Sequence, residues 1–139
     1  MDKVMVDTWA WLAINHEGDQ DHEVAKLANE ELLEKGYIYV TTNFILAETY
    51  TLLRRKVYPQ RAVEFGREIQ QVIEAEAMEL ARITPEMEQE AWEMFERHVD
   101  VKDLSYTDCT TFAAMRQLGL REAFTNDEHF PMMGFTRLP

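Results

Sequence analysis

The chain has 139 residues, of which 46% are hydrophobic, and its 26 Asp and Glu and 14 Lys and Arg side chains give a formal charge of −12. This length suffices for one hydrophobic core and is too short for two ordinary domains, so we expect a single domain over residues 1–139. The acidic charge argues against a protein that holds a polyanion by bulk electrostatic attraction. The one cysteine cannot form an intrachain disulfide, and charged residues interrupt every apolar stretch near the start. We therefore expect a cytoplasmic protein with no signal peptide and no membrane-spanning segment.

Taken in chain order, the apolar pattern predicts strands that alternate with helices. Short apolar or β-branched runs predict four strands and a further edge strand, at residues 3–6, 37–40, 78–83, 122–125 and 134–138. Apolar residues at helical spacing, with capping residues and terminal glycines, predict helices at residues 21–35, 42–56, 59–75, 84–98 and 105–119. This alternation predicts an α/β fold in which helices cover both faces of a parallel sheet.

Two acidic residues follow predicted strands closely. Asp7 ends the run KVMVD, and Asp127 lies two residues after the run EAFT. Because ligands of open α/β sheets bind at the carboxyl ends of the strands, we expect both carboxylates at that edge. Each also has a simpler interpretation. Asp7 is suited to cap a helix that begins near Thr8, and Asn126 with Asp127 is suited to a turn.

Two further acids project from the apolar side of predicted helices. On a helical wheel of about 100° per residue, Asp108 and Glu48 each lie within about 40° of a phenylalanine. An acid three positions after Ser105 also fits a capping box, which is the simpler interpretation of Asp108. Glu48 lies well inside its helix, where a buried carboxylate without a partner is costly. The alternative for Glu48 is a structural salt bridge with Arg54 or Arg55.

If these four carboxylates converge, protons or a cation must offset their charge. Oxygen ligands alone suit hard divalent ions such as Mg²⁺ or Mn²⁺. The sequence has neither a second cysteine nor an HxxxH spacing, which argues against a zinc site. The pattern therefore predicts a Mg²⁺ or Mn²⁺ site at the carboxyl edge of the sheet.

The order of the four acidic motifs, VMVDT, TTNFILAET, LSYTDCTTFAAM and FTNDEHF, resembles that of the PIN-domain ribonucleases, especially the VapC-type toxins of toxin–antitoxin pairs. The similarity extends over essentially the whole chain, down to the closing GFTRL. It implies a PIN-like three-layer α/β/α fold with a central parallel sheet of four to five strands. It also implies that the protein hydrolyses RNA phosphodiester bonds, is inhibited by a small antitoxin protein and forms a homodimer.

Carried over to this sequence, the resemblance assigns Asp7, Glu48, Asp108 and Asp127 as catalytic residues that bind one or two Mg²⁺ or Mn²⁺ ions. Such ions activate a water molecule and stabilise the leaving oxygen in phosphoryl chemistry. Further residues are candidates for RNA contacts or for orienting ligands and water because they adjoin these acids in sequence: Thr8, Thr107, Asn126 and His129.

A cluster of basic residues follows Glu48 and provides local positive charge in a chain whose net charge is negative. Five of the 14 Lys and Arg residues lie within fourteen positions, at Arg54, Arg55, Lys56, Arg61 and Arg67. The cluster predicts phosphate contacts beside Glu48, first of all from Arg54 and Arg55. The alternative is that the basic residues complement the C-terminus of a helix or are simply solvated.

Two other functions are compatible with parts of the pattern. A phosphatase of the haloacid dehalogenase type also uses an aspartate after its first strand, but that family expects a second aspartate two residues later, where this chain has Trp9. The other alternative is a non-catalytic acidic α/β module that binds a protein partner, with its carboxylates serving as caps and salt bridges.

Overall fold

The computed structural model describes residues 2–139, and its strands and helices alternate along most of the chain. The strands are β1 (Lys3–Val6), β2 (Ile38–Thr42), β3 (Glu79–Ala81), β4 (Glu122–Phe124) and β5 (Thr136–Leu138). The helices are α1 (Thr8–Asn15), α2 (His22–Glu34), α3 (Asn43–Lys56), α4 (Pro59–Glu74), α5 (Pro85–Arg97), α6 (Tyr106–Leu118) and α7 (His129–Met132). Together they form a three-layer α/β/α fold around one parallel sheet, which confirms the predicted fold class.

The sheet has the strand order β3-β2-β1-β4-β5, and every pairing in it is parallel. From β1 the chain builds outward to β2 and β3, then returns to place β4 on the other side of β1. Val6 pairs with Phe124 in the last register position of β1 and β4. The order therefore reverses between these two strands, and such a switch point leaves a crevice outside their carboxyl ends.

The central strand β1 and the helix α6 contribute much of the hydrophobic core. Val4, Met5 and Val6 are fully buried, as expected for a central strand of a parallel sheet covered on both faces. In α6 every side chain from position 109 to position 115 is buried, because this helix packs against both α3 and α5. Gly119 ends α6 with a φ of +72°, a left-handed conformation that favours glycine.

The observed bounds lie close to the predicted ones, with differences where the chain lacks a periodic signal. The strand predicted at 78–83 is limited to Glu79–Ala81, and β2 extends to Thr42, two residues beyond its prediction. The edge strand predicted at 134–138 is confirmed as the parallel strand β5. The four-residue helix α7 was not predicted, because it is too short to show helical periodicity and contains Pro131.

Among residues 2–139, no helix is both long enough and apolar enough to cross a membrane.

Candidate active site

The crevice at the switch point is an acidic cleft of about 730 Å³. Six carboxylate side chains line it, together with one imidazole, and none of the described residues that line it is a lysine or arginine. The lining residues are Asp7, Thr8, Trp9, Glu48, Val101, Asp103, Asp108, Asn126, Asp127, Glu128, His129 and Met132. The structure thus brings the four predicted acids to one cleft, although they come from four separate segments.

Asp7 lies at the floor of the cleft, directly after β1 and at the N-cap position of α1. Its side chain makes no capping hydrogen bond, so helix capping does not explain why an aspartate lies at this position. Instead, Oδ2 accepts a hydrogen bond of 2.9 Å from the hydroxyl of Thr125. Burial, and then the neighbouring Asp108 carboxylate, raise the pKa of Asp7 to about 7. A negative charge here is therefore costly unless a cation accompanies it.

Asp108 forms the predicted capping box and also faces the cleft. Its backbone N–H donates to Ser105 Oγ at 3.0 Å, and its Oδ2 accepts from the Ser105 N–H at 3.1 Å, which forms a complete capping box. The same side chain lines the cleft and is only 15% exposed. Burial raises the pKa of Asp108 to about 6, even though the hydrogen bond from Ser105 opposes the shift. Capping and an inward-facing charge therefore coexist in one residue.

Asp127 stands across the switch point from Asp7, in the loop that follows β4. Its N–H donates to Thr125 Oγ1 at 3.1 Å, and its Oδ1 accepts from the His129 N–H at 2.9 Å at the start of α7. The predicted turn is present, and it holds the carboxylate at the cleft. Thr125 thus bonds to both acids at the strand ends, and it fixes their relative position.

Glu48 lines the cleft from its position inside α3. It is partly buried, and none of the ion pairs among residues 2–139 joins it to Arg54 or Arg55. The alternative of a structural salt bridge therefore lacks support. Glu48 also lines a second groove, with Phe44, Leu52, Arg55 and Thr107 among its neighbours, so this groove adjoins the cleft.

His129 carries the one imidazole in the cleft and lies between carboxylates. Its Nε2 is 3.0 Å from Asp103 Oδ1, and its Nδ1 is 2.8 Å from Asp127 Oδ1 and 3.9 Å from Asp108 Oδ2. Burial acts to lower the pKa of His129, but the carboxylates, Asp127 first, outweigh burial and raise it. The potential ligand atoms of Asp108, Asp127 and His129 all lie within 4.8 Å of one another, which is compact enough to surround one metal ion.

The remaining candidate residues are divided between the cleft and its surroundings. Thr8 and Asn126 line the cleft, whereas Thr107 and Arg55 line the adjoining groove. Arg54 lines a separate depression between α3 and α4, away from the cleft.

Arg61 is engaged elsewhere. Its guanidinium pairs with Glu64 at 3.5 Å and Glu68 at 3.1 Å and donates to Asn15 at 2.6 Å. Because these contacts neutralise it, the basic cluster predicted beside Glu48 is smaller in the structure than in the sequence.

Two residues of the site carry roles that the sequence did not reveal. Asp103 is not among the predicted site residues, and although its side chain is 85% exposed, it lines the cleft and bonds to His129. The sequence predicts Thr125 only as the end of a strand. A threonine between a strand and an acidic loop is a weak signal, so only the fold shows that its hydroxyl is buried beside Asp7.

Comparison with known proteins identifies the family of this chain. The sequence model of the PIN domain matches residues 4–135. The 23S rRNA-specific endonuclease VapC20 of Mycobacterium tuberculosis is 33% identical over 136 residues, which cover 97% of each chain. The crystal structure of VapC20, described as a sarcin-ricin loop cleaving toxin, matches with a TM-score of 0.82 at 32% identity, over 98% of this chain and 99% of that one. The VapBC2 structure from Rickettsia felis shares the fold, with a TM-score of 0.66 at 13% identity over 99% of each chain. This chain therefore belongs to the PIN-domain family, in its VapC-type branch.

Proposed function

We propose that this protein is a metal-dependent endoribonuclease that hydrolyses RNA phosphodiester bonds, and that it is the toxin of a toxin–antitoxin pair. The observation that carries the proposal is the convergence of Asp7, Glu48, Asp108 and Asp127 on one cleft at the switch point of the sheet. The endonuclease VapC20, which shares a third of its sequence over nearly the full length of this chain, supports the same activity.

The donor set of the cleft fits a divalent cation. Carboxylate oxygens are the ligands that Mg²⁺ and Mn²⁺ prefer, and the raised pKa values of Asp7 and Asp108 mean that a nearby positive charge would stabilise their ionised forms. Thr8 adds a further observation, because its Oγ1 is buried in a residue that lines the cleft and has no hydrogen-bond partner. We therefore assign Asp7, Asp108 and Asp127 as the inner metal-binding residues, with Glu48 as a further carboxylate of the same cleft.

When bound, such an ion would supply Lewis-acid stabilisation of the phosphate and lower the pKa of a water molecule. The protein supplies the positioning. Thr125 holds Asp7 and the Asp127 loop in register, and the capping box holds Asp108 at the first turn of α6. Because these side chains are already hydrogen-bonded in place, little conformational entropy is lost when they bind a cation.

The groove that adjoins the cleft at Glu48 is the proposed path of the RNA strand. Arg55 offers a guanidinium for a phosphate, and Phe44 and Leu52 offer apolar surface against which a base or ribose can pack. The cleft itself is too acidic to attract a polyanion. The positive charge for RNA binding must therefore come from this groove and from the bound cation.

The test is cleavage of RNA by purified protein with EDTA, Mg²⁺ or Mn²⁺. The 23S rRNA fragment that contains the sarcin-ricin loop is the first substrate to use, because VapC20 acts on 23S rRNA, and a mixed structured RNA pool is the second. We expect metal-dependent cleavage by the wild type and none by Asp7→Asn or Asp108→Asn. Equal background cleavage of RNA by the wild type and both variants would contradict the proposal.

We also propose two protein partners. A small antitoxin that covers the acidic cleft should protect RNA from cleavage when it is co-expressed with this chain.

A second copy of the chain is the other partner, and the exposed face of α5 supports it. Trp92 is 51% exposed and packs on Phe95, which also contacts Tyr106 and is itself 37% exposed. We expect a dimer by light scattering and a monomer for Trp92→Glu.

The non-catalytic protein-binding module is the competing function. It predicts that Mg²⁺ and Mn²⁺ leave the melting temperature unchanged, whereas a site in the folded state must raise it by linkage. The phosphatase alternative has less support, because Trp9 donates from Nε1 to Asp21 at 3.1 Å and contributes no second carboxylate to the cleft.

A further inference from the structure

His129 differs from the other polar side chains of the cleft because one of its ring nitrogens is fixed and the other is unused. Nε2 lies 3.0 Å from Asp103 Oδ1, and the two atoms are hydrogen-bonded. Nδ1 lies 2.8 Å from Asp127 Oδ1, within the distance of an ion pair for a protonated ring, yet it is buried and makes no hydrogen bond. The imidazole thus presents an unsatisfied nitrogen to the interior of the cleft.

The partner of Nε2 decides which nitrogen carries the hydrogen. An ionised carboxylate can only accept, so the Asp103 contact places the hydrogen on Nε2 and leaves a lone pair on Nδ1 of the neutral ring. A lone pair directed at carboxylate oxygens is repelled by them unless either a proton on Nδ1 or a metal ion lies between. The unsatisfied Oγ1 of Thr8, in a residue only 7% exposed, is a second polar atom in the same cleft without a partner.

We infer that His129 Nδ1 is a direct ligand of the divalent cation, alongside Asp108 and Asp127, and that this nitrogen makes the site prefer Mn²⁺ over Mg²⁺. The inference rests on the proposed function only in taking the cleft to be a metal site. The three ligand atoms lie within 4.8 Å of one another, so one ion can contact all of them. Asp103 then acts as a positioning residue, because it orients the ring without touching the metal.

The chemistry of the ligands gives the direction of the preference. Metal-bound histidines usually donate their other N–H to a carboxylate, which fixes the tautomer and raises the basicity of the ligand, and the Asp103–His129 pair has this arrangement. Mg²⁺ binds nitrogen poorly and retains its water, whereas Mn²⁺ accepts an imidazole more readily than Mg²⁺ does, although less readily than the later transition ions. Replacing His129 should therefore weaken Mn²⁺ binding much more than Mg²⁺ binding.

Pulsed electron paramagnetic resonance of the full chain loaded with Mn²⁺ alone tests the inference without any assay of activity. A directly bound imidazole nitrogen gives a characteristic nitrogen modulation of the Mn²⁺ signal. We expect this modulation in the wild type and in His98→Gln, a matched control whose Nδ1 bonds to Met94 O outside the cleft. We expect it to be absent in His129→Gln.

Affinities for the two ions provide the second measurement. Calorimetric titration should show that His129→Gln weakens Mn²⁺ binding by about tenfold or more, that Asp103→Asn weakens it about tenfold, and that Mg²⁺ binding changes by less than about threefold in both. Equal losses for the two ions would overturn the preference for Mn²⁺.

The outcomes separate this inference from the proposed function. If wild-type protein binds Mn²⁺ and cleaves RNA but shows no nitrogen modulation, His129 is not a ligand, and the endoribonuclease proposal stands. If neither Mn²⁺ binding nor metal-dependent cleavage is detected, both proposals fail. If the modulation is present without cleavage of any RNA, the ligand assignment stands and the proposed function fails.

Discussion

The hydroxyl of Thr125 donates a hydrogen bond of 2.9 Å to Asp7 Oδ2, across 118 positions of sequence. The same oxygen accepts from the backbone of Asp127 at 3.1 Å, so one buried hydroxyl connects two acids that flank the switch point. Thr125 itself is fully buried. This small network sets the distance between the first and the last acid of the site.

Replacing Thr125 with valine tests the network, because the side chain keeps its shape and loses the hydroxyl. We expect Thr125→Val to lower the free energy of unfolding by about 1–3 kcal/mol, since the buried Asp7 carboxylate and the partly buried Asp127 N–H lose their partner. The rate of RNA cleavage should fall by more than the loss of folded protein can explain. The measurements are urea denaturation and cleavage rate, with Thr125→Ser as the control that restores both. Full cleavage by the valine variant would show that Asp7 is positioned without this bond.

The metal-free protein should lose stability as the pH rises from 5 to 8. The pKa of Asp7 is raised from 3.8 to about 7, and that of Asp108 from 3.8 to about 6. The folded state therefore binds protons more tightly than the unfolded state. The stabilising effect of these protons is complete below about pH 4 and is lost as the pH rises through the raised values.

The check is the melting temperature of the EDTA-treated protein across this pH range. Asp7→Asn removes one of the two groups, so it should flatten the dependence and raise the melting temperature of the metal-free protein at pH 8. Saturating Mn²⁺ should reverse the trend in the wild type, because deprotonated carboxylates bind the ion better at high pH. If the melting temperatures of the metal-free wild type and of Asp7→Asn changed in parallel with pH, this result would contradict the raised pKa of Asp7.

Two variants at the start of α6 separate capping from metal binding. Ser105→Ala removes the capping hydroxyl and should lower the free energy of unfolding by about 1 kcal/mol, while metal-dependent stabilisation persists. Asp108→Asn keeps the size of the side chain and removes its charge, so it should abolish stabilisation by Mn²⁺ and cleavage together. The measurement is the Mn²⁺-induced shift in melting temperature for both variants. If Ser105→Ala loses that shift as completely as Asp108→Asn, the cap and the metal site cannot be separated.

Charge reversal at Arg55 tests the proposed path of the RNA strand. We expect Arg55→Glu to reduce cleavage at low salt by about tenfold and to make cleavage less dependent on salt, because one phosphate contact is lost. Arg54→Glu should have a smaller effect, since Arg54 lies in a separate depression. Lys35→Glu is the matched control, because Lys35 lies before β2, at the opposite edge of the sheet from the cleft. Equal effects of the three reversals would indicate a general charge effect and no specific groove.

The sequence by itself determined the alternation of strands and helices and four of the six acids that line the cleft. These features follow from local signals. Apolar runs define the strands, helical spacing defines the inward face of α3 and α6, and the acids after β1 and β4 must stand at the carboxyl edge of any parallel sheet. The capping box of Asp108 was also readable, because its two partners lie three residues apart. The catalytic roles of these acids stay predictions.

Only the tertiary structure decided which side chains hold the acidic residues in place. It also decided which basic residues are already engaged in contacts within the protein. Thr125 meets Asp7 because β4 returns beside β1, and Asp103 meets His129 because α7 forms after β4. Arg61 is not available to bind RNA, because it contacts Glu68 on the same helix and Asn15 on α1. Side-chain contacts between distant segments depend on strand order and helix packing, for which local periodicity has no signal.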